Sequence, residues 1–356
     1  MGISIYEDTK IYICLPSTKI TGGIELLHQL TYHLRTELNI ESYLYYPFEG
    51  PEPYHDVYKN YNNIFIHEIE DSEKNILIYP EIYWIKPIMS KFKKIRKVLW
   101  WLSVDNFIIY KILFSKRNFF IYRLMNKIGH IVLNKQIFDI KEIMYQKFNY
   151  DSNEFVKIIK HDSFVKLADY HMVQSFYAKD ILEKSNIKKP IYYLSDYLNK
   201  DFLKIKTDLS QKQNIVAYNP KKGYSFTKKI IKAAPDIEFI PIINMTRDEV
   251  IKTLQKAKVY IDFGNHPGKD RIPREAAILR CCVITGKRGS ARYYEDVPIP
   301  EAYKFEDQVE YIPNVINKIK DCFENFEKRC CDFDYYRRVI NEEPDKFVSN
   351  LKQIFK

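Results

Sequence analysis

The sequence predicts an α/β fold made of two domains, each with a mainly parallel sheet and helices on its faces. Short β-branched runs alternate with helical stretches along the chain, which is typical of repeated βαβ units. A polar stretch near residues 190–212 interrupts this alternation, which then resumes. The length of 356 residues suits two domains at about 100–200 residues each. Two such domains are expected to face each other across a cleft.

The first domain is predicted to span residues 1–195. It contains a predicted helix over Gly23–Arg35, because apolar residues recur on one side of that segment at helical spacing. The predicted strands, all short and largely apolar, are Lys10–Pro16, Ile64–His67, Asn75–Tyr79, Lys97–Leu102, His130–Asn134 and Tyr170–Gln174.

The second domain is predicted to span residues 196–340. A C-terminal helix, residues 341–356, follows it and is expected to pack back on the first domain. The predicted strands are Asn214–Tyr218, Glu238–Ile240, Lys258–Asp262 and Cys281–Thr285. The predicted helices lie near Tyr224–Ala233, Thr246–Lys256 and Pro273–Leu279.

The composition excludes several classes of protein. A hydrophobic fraction of 46% is too high for a disordered chain. The six cysteines include no CxxC pair, so no zinc site is predicted, and the N-terminus lacks an apolar signal core, which favours a cytoplasmic protein. The net charge of +10 favours an anionic partner, such as a phosphate or a membrane surface, or else reflects a lysine-rich solvated surface. No nucleic-acid-binding module is recognisable, so no nucleic-acid partner is predicted.

A basic and aromatic zone covers residues 86–127. It joins the segment KPIMSKFKKIRKVLWW to an apolar stretch that five basic residues interrupt, so no membrane-spanning helix is predicted. Rings and cations in this arrangement can lie on an anionic bilayer, and the zone therefore predicts peripheral contact with the inner face of a membrane. The alternative is a half-buried helix with a basic solvated face.

Two junctions of the first domain are candidate sites, because open α/β sheets bind ligands beyond the carboxyl ends of their strands. Gly22 and Gly23 open a helix, where backbone N–H groups favour phosphate, although the full GxGxxG fingerprint is absent and a tight turn is the alternative. Ser103 and Asp105 follow a buried strand. Asp105 can orient an acceptor hydroxyl or accept its proton, and the alternative is that either residue caps the next helix.

Three junctions of the second domain carry cations. The first contains Lys221 and Lys222 before a helix, where ammonium groups suit a diphosphate, with a lysine-rich surface turn as the alternative. The second runs from Asp262 to Ala277 and places Pro273 at the expected first position of a helix. The third, Gly286–Ser290, is a glycine-containing loop that suits an anion. The candidate ligands of the last two junctions are His266, Lys269, Asp270, Arg271, Glu275, Gly289 and Ser290.

Within the second junction, Arg271 can clamp a phosphate with two parallel hydrogen bonds, and Glu275 can accept from sugar or ribose hydroxyls. The spacing of Asp332 and Asp334 is a DxD pattern that chelates metals in some sugar-nucleotide enzymes. Here the pattern begins a C-terminal helix, where acidic residues are favoured, so it predicts no metal site.

These junctions together resemble the retaining GT-B glycosyltransferases of the family 4-like type, in particular those of bacterial surface-polysaccharide synthesis. Thr21–Glu25 looks like the Gly-Gly-x-Glu loop of that family, which approaches the donor diphosphate. Asn219–Gly223 is similar to its Lys-Gly segment, without the Arg that precedes the Lys there; Arg271 or Arg288 is the candidate substitute. Glu275 matches the second glutamate of the family's Glu-x7-Glu motif, which holds the ribose.

The first glutamate of that motif would fall on Pro267 and is missing, so Asp270 is the candidate for the contact with the donor sugar. The resemblance implies two Rossmann-like domains and a metal-independent transfer of a sugar, with no cofactor. The donor would be a nucleotide-sugar bound mainly by the second domain. The acceptor would be a glycan or a lipid-linked sugar of capsule or lipopolysaccharide synthesis, bound by the first domain. The missing Arg and Glu leave an alternative, a degenerate non-catalytic module that binds polysaccharide or a partner enzyme.

Overall fold

The structure is a computed structural model that describes residues 2–17, 21–48, 55–115, 120–133, 137 and 152–356. Residues 18–20 of the first junction and 116–119 of the basic and aromatic zone lie outside the described residues. The chain divides into two compact units. Unit 1 consists of Met1–Gln174, Ala178–Leu194 and Val348–Lys356, and unit 2 consists of Ser175–Tyr177 and Ser195–Phe347.

Unit 1 contains a sheet of seven strands, all parallel. The strands are β1 (Lys10–Cys14), β2 (Glu41–Tyr45), β3 (Phe65–Ile66), β4 (Ile76–Pro80), β5 (Arg96–Trp101), β6 (Tyr170–Val173) and β7 (Ile191–Tyr193). Their order across the sheet is β3-β2-β1-β4-β5-β6-β7. The central strand β4 is buried along its whole length, because helices cover both faces of a parallel sheet.

The helices up to residue 194 are α1 (Gly22–Leu38), α2 (Lys86–Met89), α3 (Val104–Ser115), α4 (Phe120–Leu133), α5 (Ser152–His161) and α6 (Phe176–Lys184). The first helix shows how local sequence sets its limits. The Thr21 side chain accepts a hydrogen bond from the Ile24 N–H group at 3.3 Å, and Asn39 ends the helix with a φ of 53°.

Unit 2 contains a five-stranded sheet, also wholly parallel. The strands are β8 (Gln213–Tyr218), β9 (Glu238–Pro241), β10 (Ala257–Asp262), β11 (Cys282–Gly286) and β12 (Lys304–Phe305), in the order β12-β11-β10-β8-β9. The helices are α7 (Lys200–Leu203), α8 (Tyr224–Ala233), α9 (Arg247–Lys256), α10 (Arg271–Ile278), α11 (Ile312–Glu324), α12 (Phe326–Cys331) and α13 (Asp334–Ile354). Both sheets confirm the predicted α/β class with C-terminal helices.

The end of α13 and the last two residues join the N-terminus of the chain within unit 1. The Ile3 N–H group donates to the Ile354 carbonyl at 2.6 Å, and the Lys356 N–H group donates to the Ile3 carbonyl at 3.0 Å. Ile3 and Phe355 therefore form a short parallel bridge. Within the described residues, no helix is long and apolar enough to cross a membrane.

One prediction for unit 1 is wrong, and a second is wrong in part. The predicted strand at His130–Asn134 does not form, because the part that the structure describes continues the apolar spacing of α4 and is helical. In the zone at residues 86–127, Trp100 and Trp101 lie in β5 and are fully buried, so these two rings cannot contact a membrane, whereas Phe120 of the same zone is exposed. The prediction also omitted β2, whose sequence ESYLY has no β-branched residue.

Candidate functional site

The carboxyl ends of β8 and β10 lie side by side in unit 2, with Ile261 paired to Tyr218. The loops that follow these strands interlock through two glycines. Gly223 has a φ of +53° and Gly264 a φ of +99°, and a Cβ on Gly223 would lie 2.3 Å from the Phe263 carbonyl oxygen. Only glycine fits both the backbone angle and the space at these positions. The close approach brings the lysine junction and the Asp262–Ala277 junction into one cluster.

Asp270 is the centre of this cluster. Its Oδ2 atom accepts a hydrogen bond from the Lys222 ammonium and lies 2.9 Å from Nδ1 of His266. Burial acts to raise the pKa of Asp270, but Lys222 and His266 outweigh it and hold the pKa well below the usual value for aspartate. Asp270 is therefore an ionised carboxylate that two cationic side chains share.

His266 is fully buried between two carboxylates. Its Nε2 atom lies 3.3 Å from the Asp262 carbonyl oxygen and 3.9 Å from Asp262 Oδ1, while Tyr260 donates to Asp262 Oδ2 at 2.8 Å. Burial acts to lower the pKa of His266, but Asp262 and Asp270 outweigh it and raise the pKa above its usual value. The imidazolium form is therefore favoured at this position.

Asp262, His266 and Asp270 also form a set that can hold a cation, because one ligand atom from each lies within 4.8 Å of the others. Lys222 already places its ammonium on Asp270, and His266 contacts both carboxylates. Burial raises the pKa of Asp262, and the cluster sets two cationic side chains, Lys222 and His266, against two carboxyl groups. The protein's own cations thus supply the charge that a metal ion would bring. That the protein uses no metal stays a prediction.

A second buried cluster surrounds Arg274, one turn along α10. Its guanidinium contacts both carboxylate oxygens of Asp196, at 2.8 and 2.7 Å, and Oε2 of Glu343 at 2.8 Å. Lys269 Nζ lies 2.6 Å from the other oxygen of Glu343. This places the predicted ligand Lys269 in the interior. The predicted clamp Arg271 is more exposed, and its Nε atom lies 3.7 Å from Asp196 Oδ2.

Glu275 directly follows Arg274 on α10 and is also held by a cation. Its Oε1 atom accepts a hydrogen bond from Arg247 Nη1 at 2.9 Å, and the Arg247 guanidinium lies 4.7 Å from the Phe202 ring centroid. The helix begins at Arg271, so Pro273 is its third residue. The prediction that Pro273 is the first residue of the helix is therefore wrong. The first turn still leaves its N–H groups without helical partners, which is why proline is tolerated there.

The glycine loop after β11 joins the same cluster. His266 and Gly289 form a bridge, in which the Ser290 N–H group donates to the His266 carbonyl at 2.9 Å. The Ser290 hydroxyl donates to the Gly268 carbonyl at 2.6 Å. Lys221 differs from its neighbours, because it is exposed, and its backbone N–H group donates to Asn219 Oδ1 at 3.0 Å. Nine of the predicted site residues lie in unit 2: Lys221, Lys222, His266, Lys269, Asp270, Arg271, Glu275, Gly289 and Ser290.

The remaining predicted residues lie in unit 1, at the carboxyl ends of β1 and β5. Gly22 and Gly23 are the first residues of α1, and a Cβ on Gly23 would lie 3.5 Å from Leu102 Cδ1. The Ser103 hydroxyl accepts from the Asn106 N–H group at 3.3 Å and so caps α3, as the structural alternative proposed. Asp105 is fully buried in the first turn of that helix.

Sequence reasoning missed Glu81, which directly follows β4 at the same edge of this sheet. Its Oε2 atom accepts a hydrogen bond from the Leu102 N–H group at 2.9 Å. Burial raises the pKa of Glu81 to about 7, so this carboxyl can exchange a proton near neutral pH. A carboxylate immediately after a buried apolar strand was the signal that could have identified it.

Several solved structures resemble this chain over nearly its whole length. A glycosyltransferase from Rickettsia africae has a TM-score of 0.57 and 12% identity, covering 98% of this chain and 99% of that one. Sucrose-phosphate synthase from Thermosynechococcus elongatus has a TM-score of 0.61 and 9% identity, covering 97% and 98%. The chain has a GT-B fold. HepE from Anabaena, solved in complex with UDP-glucose, shares this fold with a TM-score of 0.56 and 10% identity, covering 97% and 98%.

No protein-family model matches the chain, and no curated protein matches its sequence. At the identities of these GT-B structures, the similarity shows the fold and assigns no role to individual residues. Family 4 membership and a retaining mechanism therefore stay predictions.

Proposed function

We propose that the protein is a metal-independent glycosyltransferase that transfers a sugar from a nucleotide-sugar to a glycan or lipid-linked acceptor. The Lys222–Asp270–His266 cluster, at the carboxyl ends of β8 and β10, carries this proposal. The GT-B fold over nearly the whole chain supports it, as does the similarity to HepE, which was solved with UDP-glucose. The sequence resemblance extends the proposal to a retaining hexosyltransferase of surface-polysaccharide synthesis on the cytoplasmic side.

Unit 2 would bind the diphosphate of the donor through Lys222 and Arg271. Both side chains are partly exposed, at 25% and 23%, and each faces a carboxylate in the structure. A diphosphate carries more negative charge than a carboxylate, so it would draw the Lys222 ammonium away from Asp270. The contact with His266 would keep Asp270 ionised after this exchange. Positive charge would then face the leaving diphosphate as the bond to the sugar breaks.

The sugar and ribose would be bound by the neighbouring groups of unit 2. Glu275 uses one oxygen for Arg247, and its second oxygen would accept from a ribose hydroxyl. Asp270, once released by Lys222, would accept from a hydroxyl of the donor sugar. Gly289 and Ser290 would shape the loop against His266, and Lys269 would support it from the interior through Glu343.

Unit 1 would bind the acceptor at the carboxyl ends of its strands. Gly22 and Gly23 leave the start of α1 without side chains, so a ligand can approach the backbone there. Asp105 is the predicted group for orienting the acceptor hydroxyl, and Ser103 is the predicted contact beside it. Glu81 is a further candidate for accepting a proton, because its pKa of about 7 matches the pH at which a general base works best.

One observation favours the alternative, a non-catalytic module. Three described cations of unit 2 that could meet a diphosphate already face carboxylates, namely Lys222 with Asp270, Arg271 with Asp196 and Arg288 with Asp307, whereas Lys221 is exposed. A site that satisfies its own charges can be structural. The two readings differ in whether a diphosphate can displace the carboxylates.

The test is a thermal-unfolding screen with UDP, GDP, ADP and CMP and with their sugar conjugates. A nucleotide that binds only the folded protein raises the melting temperature. We expect one nucleotide class to do so, and Lys222→Ala to weaken its binding at least tenfold, on the order of one charge-assisted hydrogen bond. Lys229→Ala, on the exposed face of the following helix, is the matched control and should bind like the parent protein.

Catalysis is tested by donor turnover with and without EDTA. Release of nucleoside diphosphate that EDTA does not reduce supports metal-independent transfer. A melting-temperature rise without any turnover on glycan or lipid-linked acceptors would favour the non-catalytic module. A chain that no nucleotide stabilises, or a Lys222→Ala variant that binds as well as the Lys229→Ala control, would refute the proposed donor site.

A further inference from the structure

Helix α4 turns its apolar face to solvent. Seven large apolar side chains of this helix are between 41% and 74% exposed. They recur at intervals of one, three and four residues, so at 3.6 residues per turn they fall on one continuous face. The seven are Phe120, Ile121, Leu124, Met125, Ile128, Ile131 and Val132.

Two residues on the opposite face of α4, one small and one polar, are buried. Asn126 and Gly129 are buried, and the Asn126 side-chain oxygen accepts a hydrogen bond from the Ile137 N–H group at 3.1 Å. A surface helix of a globular protein normally has the reverse arrangement. Single exposed apolar residues are common, whereas a continuous exposed apolar face indicates an interaction surface.

Cations border this apolar face, and acidic residues are absent from it. Arg123 and Lys127 are exposed and lie on one flank of the face, at helical angles next to Phe120. The α4 sequence FIYRLMNKIGHIVL contains no Asp or Glu. The surrounding residues 106–138 contain six Lys or Arg and no acidic residue. One of these, Lys111, is engaged within unit 1, since it lies 2.5 Å from Asp162.

We propose that the exposed face of α4 lies in the surface of an anionic lipid bilayer, with Phe120, Leu124 and Ile131 among the inserted side chains. A helix of 14 residues is about 21 Å long, which is enough to lie flat along a membrane but too short to cross it. An apolar face with cations at its edge meets acyl chains below and lipid phosphates beside them.

This occupant fits better than a second copy of the chain. In a symmetric dimer the same face would meet itself, and with the two helices antiparallel the cationic flanks of identical chains would lie side by side. The chain already has a net charge of +10, so self-association lacks a balancing negative surface at α4. The membrane surface proposed here also differs from the predicted zone at residues 86–127, because it is confined to α4 and extends to Val132. It does not depend on the proposed sugar transfer.

The experiment measures cosedimentation of the full chain with two kinds of vesicle, phosphatidylcholine alone and phosphatidylcholine mixed with phosphatidylglycerol. We expect binding to the mixed vesicles, with at least tenfold weaker binding to the neutral ones. Ile121→Ser combined with Ile131→Ser should reduce binding to the mixed vesicles at least tenfold. Arg123→Gln combined with Lys127→Gln should reduce it by roughly fivefold for each charge and remove most of its salt dependence.

Val57→Ser is the matched control, because Val57 is an exposed apolar residue of unit 1 outside α4. It should bind vesicles like the parent protein. All the substituted side chains are exposed, so the variants should fold, and an unchanged circular-dichroism melting curve verifies this. Equal binding to both vesicle types, or serine variants that bind like the parent protein, would overturn the proposal. A concentration-dependent dimer that the serine pair abolishes would assign the face to a second copy instead.

Discussion

Replacement of Arg274 by methionine is expected to destabilise unit 2 strongly. Arg274 is fully buried and contacts the carboxylates of Asp196 and Glu343, and Lys269 contacts Glu343 as well. The fully buried part of this cluster therefore contains two cations and two carboxylates, and the partly exposed Arg271 lies 3.7 Å from Asp196 at its edge. Burial acts to lower the pKa of Arg274, but Asp196 and Glu343 outweigh it and raise the pKa further above its usual value. Methionine fills the space of the side chain and leaves two buried carboxylates with one buried cation, Lys269, so that Asp196 keeps only the longer contact with Arg271 at 3.7 Å among these cations.

The expected loss of unfolding free energy is about 3–5 kcal/mol, the range for breaking a buried ion network by removing one partner. A typical domain is stable by only about 5–15 kcal/mol, so the change should be easy to measure. The loss should shrink at acidic pH, since one of the unpaired carboxyls then takes up a proton and the remaining charges balance. Arg338→Met is the control, because Arg338 is exposed, and it should change the stability by less than about 0.5 kcal/mol.

The positions of the tryptophans make the assay specific to one unit. All three, Trp84, Trp100 and Trp101, lie in unit 1, so tryptophan fluorescence follows the unfolding of that unit alone. Far-ultraviolet circular dichroism follows the helices of both units. In urea, part of the circular-dichroism signal of the Arg274→Met variant should be lost first. Its tryptophan fluorescence should change only at higher urea concentration.

A double variant decides whether charge balance is the cause. Arg274→Met with Glu343→Gln leaves one buried carboxylate, Asp196, and one buried cation, Lys269, with Arg271 at the edge of the cluster. It should be more stable than Arg274→Met alone by about 1–2 kcal/mol, although it carries an additional substitution. Glu343→Gln alone is measured as well. If the losses of stability in Arg274→Met and Glu343→Gln simply add in the double variant, the uncompensated-charge explanation is wrong and Arg274 contributes only by packing.

Two further substitutions test the edges of the sheets. Glu81→Gln should raise the unfolding free energy by about 1–3 kcal/mol at about pH 8 and change it little at about pH 4. Burial holds the pKa of Glu81 in the folded protein at about 7, above its value in the unfolded chain. The parent protein therefore loses stability as the pH rises from the unfolded pKa to the folded pKa, and the glutamine variant does not. Urea unfolding across this pH range measures it, and equal pH profiles would contradict it. Gly223→Ala should cost more than about 1 kcal/mol, since its Cβ would meet the Phe263 carbonyl at 2.3 Å, whereas Gly23→Ala should be nearly neutral in the same assay.

The fold could be predicted largely because each buried strand is a short apolar run followed by a helix with a clear start. α8 begins and ends at the predicted residues, and α9 starts after Thr246, whose side chain and that of Glu249 form a capping box. The failure at His130–Asn134 has the opposite cause. Two β-branched residues suggested a strand there. The run of apolar residues at helical spacing from Phe120 onward covers more residues, and the segment is helical, with its apolar side exposed.

The sequence could predict which residues belong to the candidate site, but not which of their side chains contact one another. Residue types and junctions identified Lys222, His266 and Asp270 as candidates. Sequence alone does not show that the side chains of Lys222 and Asp270, 48 positions apart, meet, because that contact depends on Gly223 and Gly264 approaching each other. Glu81 was missed because its importance lies in its burial and in the Leu102 N–H group that it meets, and both are tertiary features.

The two clusters of unit 2 differ in how far their charged side chains are exposed to solvent. Arg274, Asp196 and Glu343 are almost completely buried and hold α10 in place, and of the cations around Asp196 only Arg271 is partly exposed among the described residues. The Lys222 cluster has its inner half, His266 and Asp262, buried and its outer half, Lys222 and Asp270, partly exposed. An anion arriving from solvent would meet the outer pair first. The inner histidine would then keep Asp270 charged while Lys222 changes partner, which is why a substitution at Lys222 should reduce nucleotide binding more than it reduces stability.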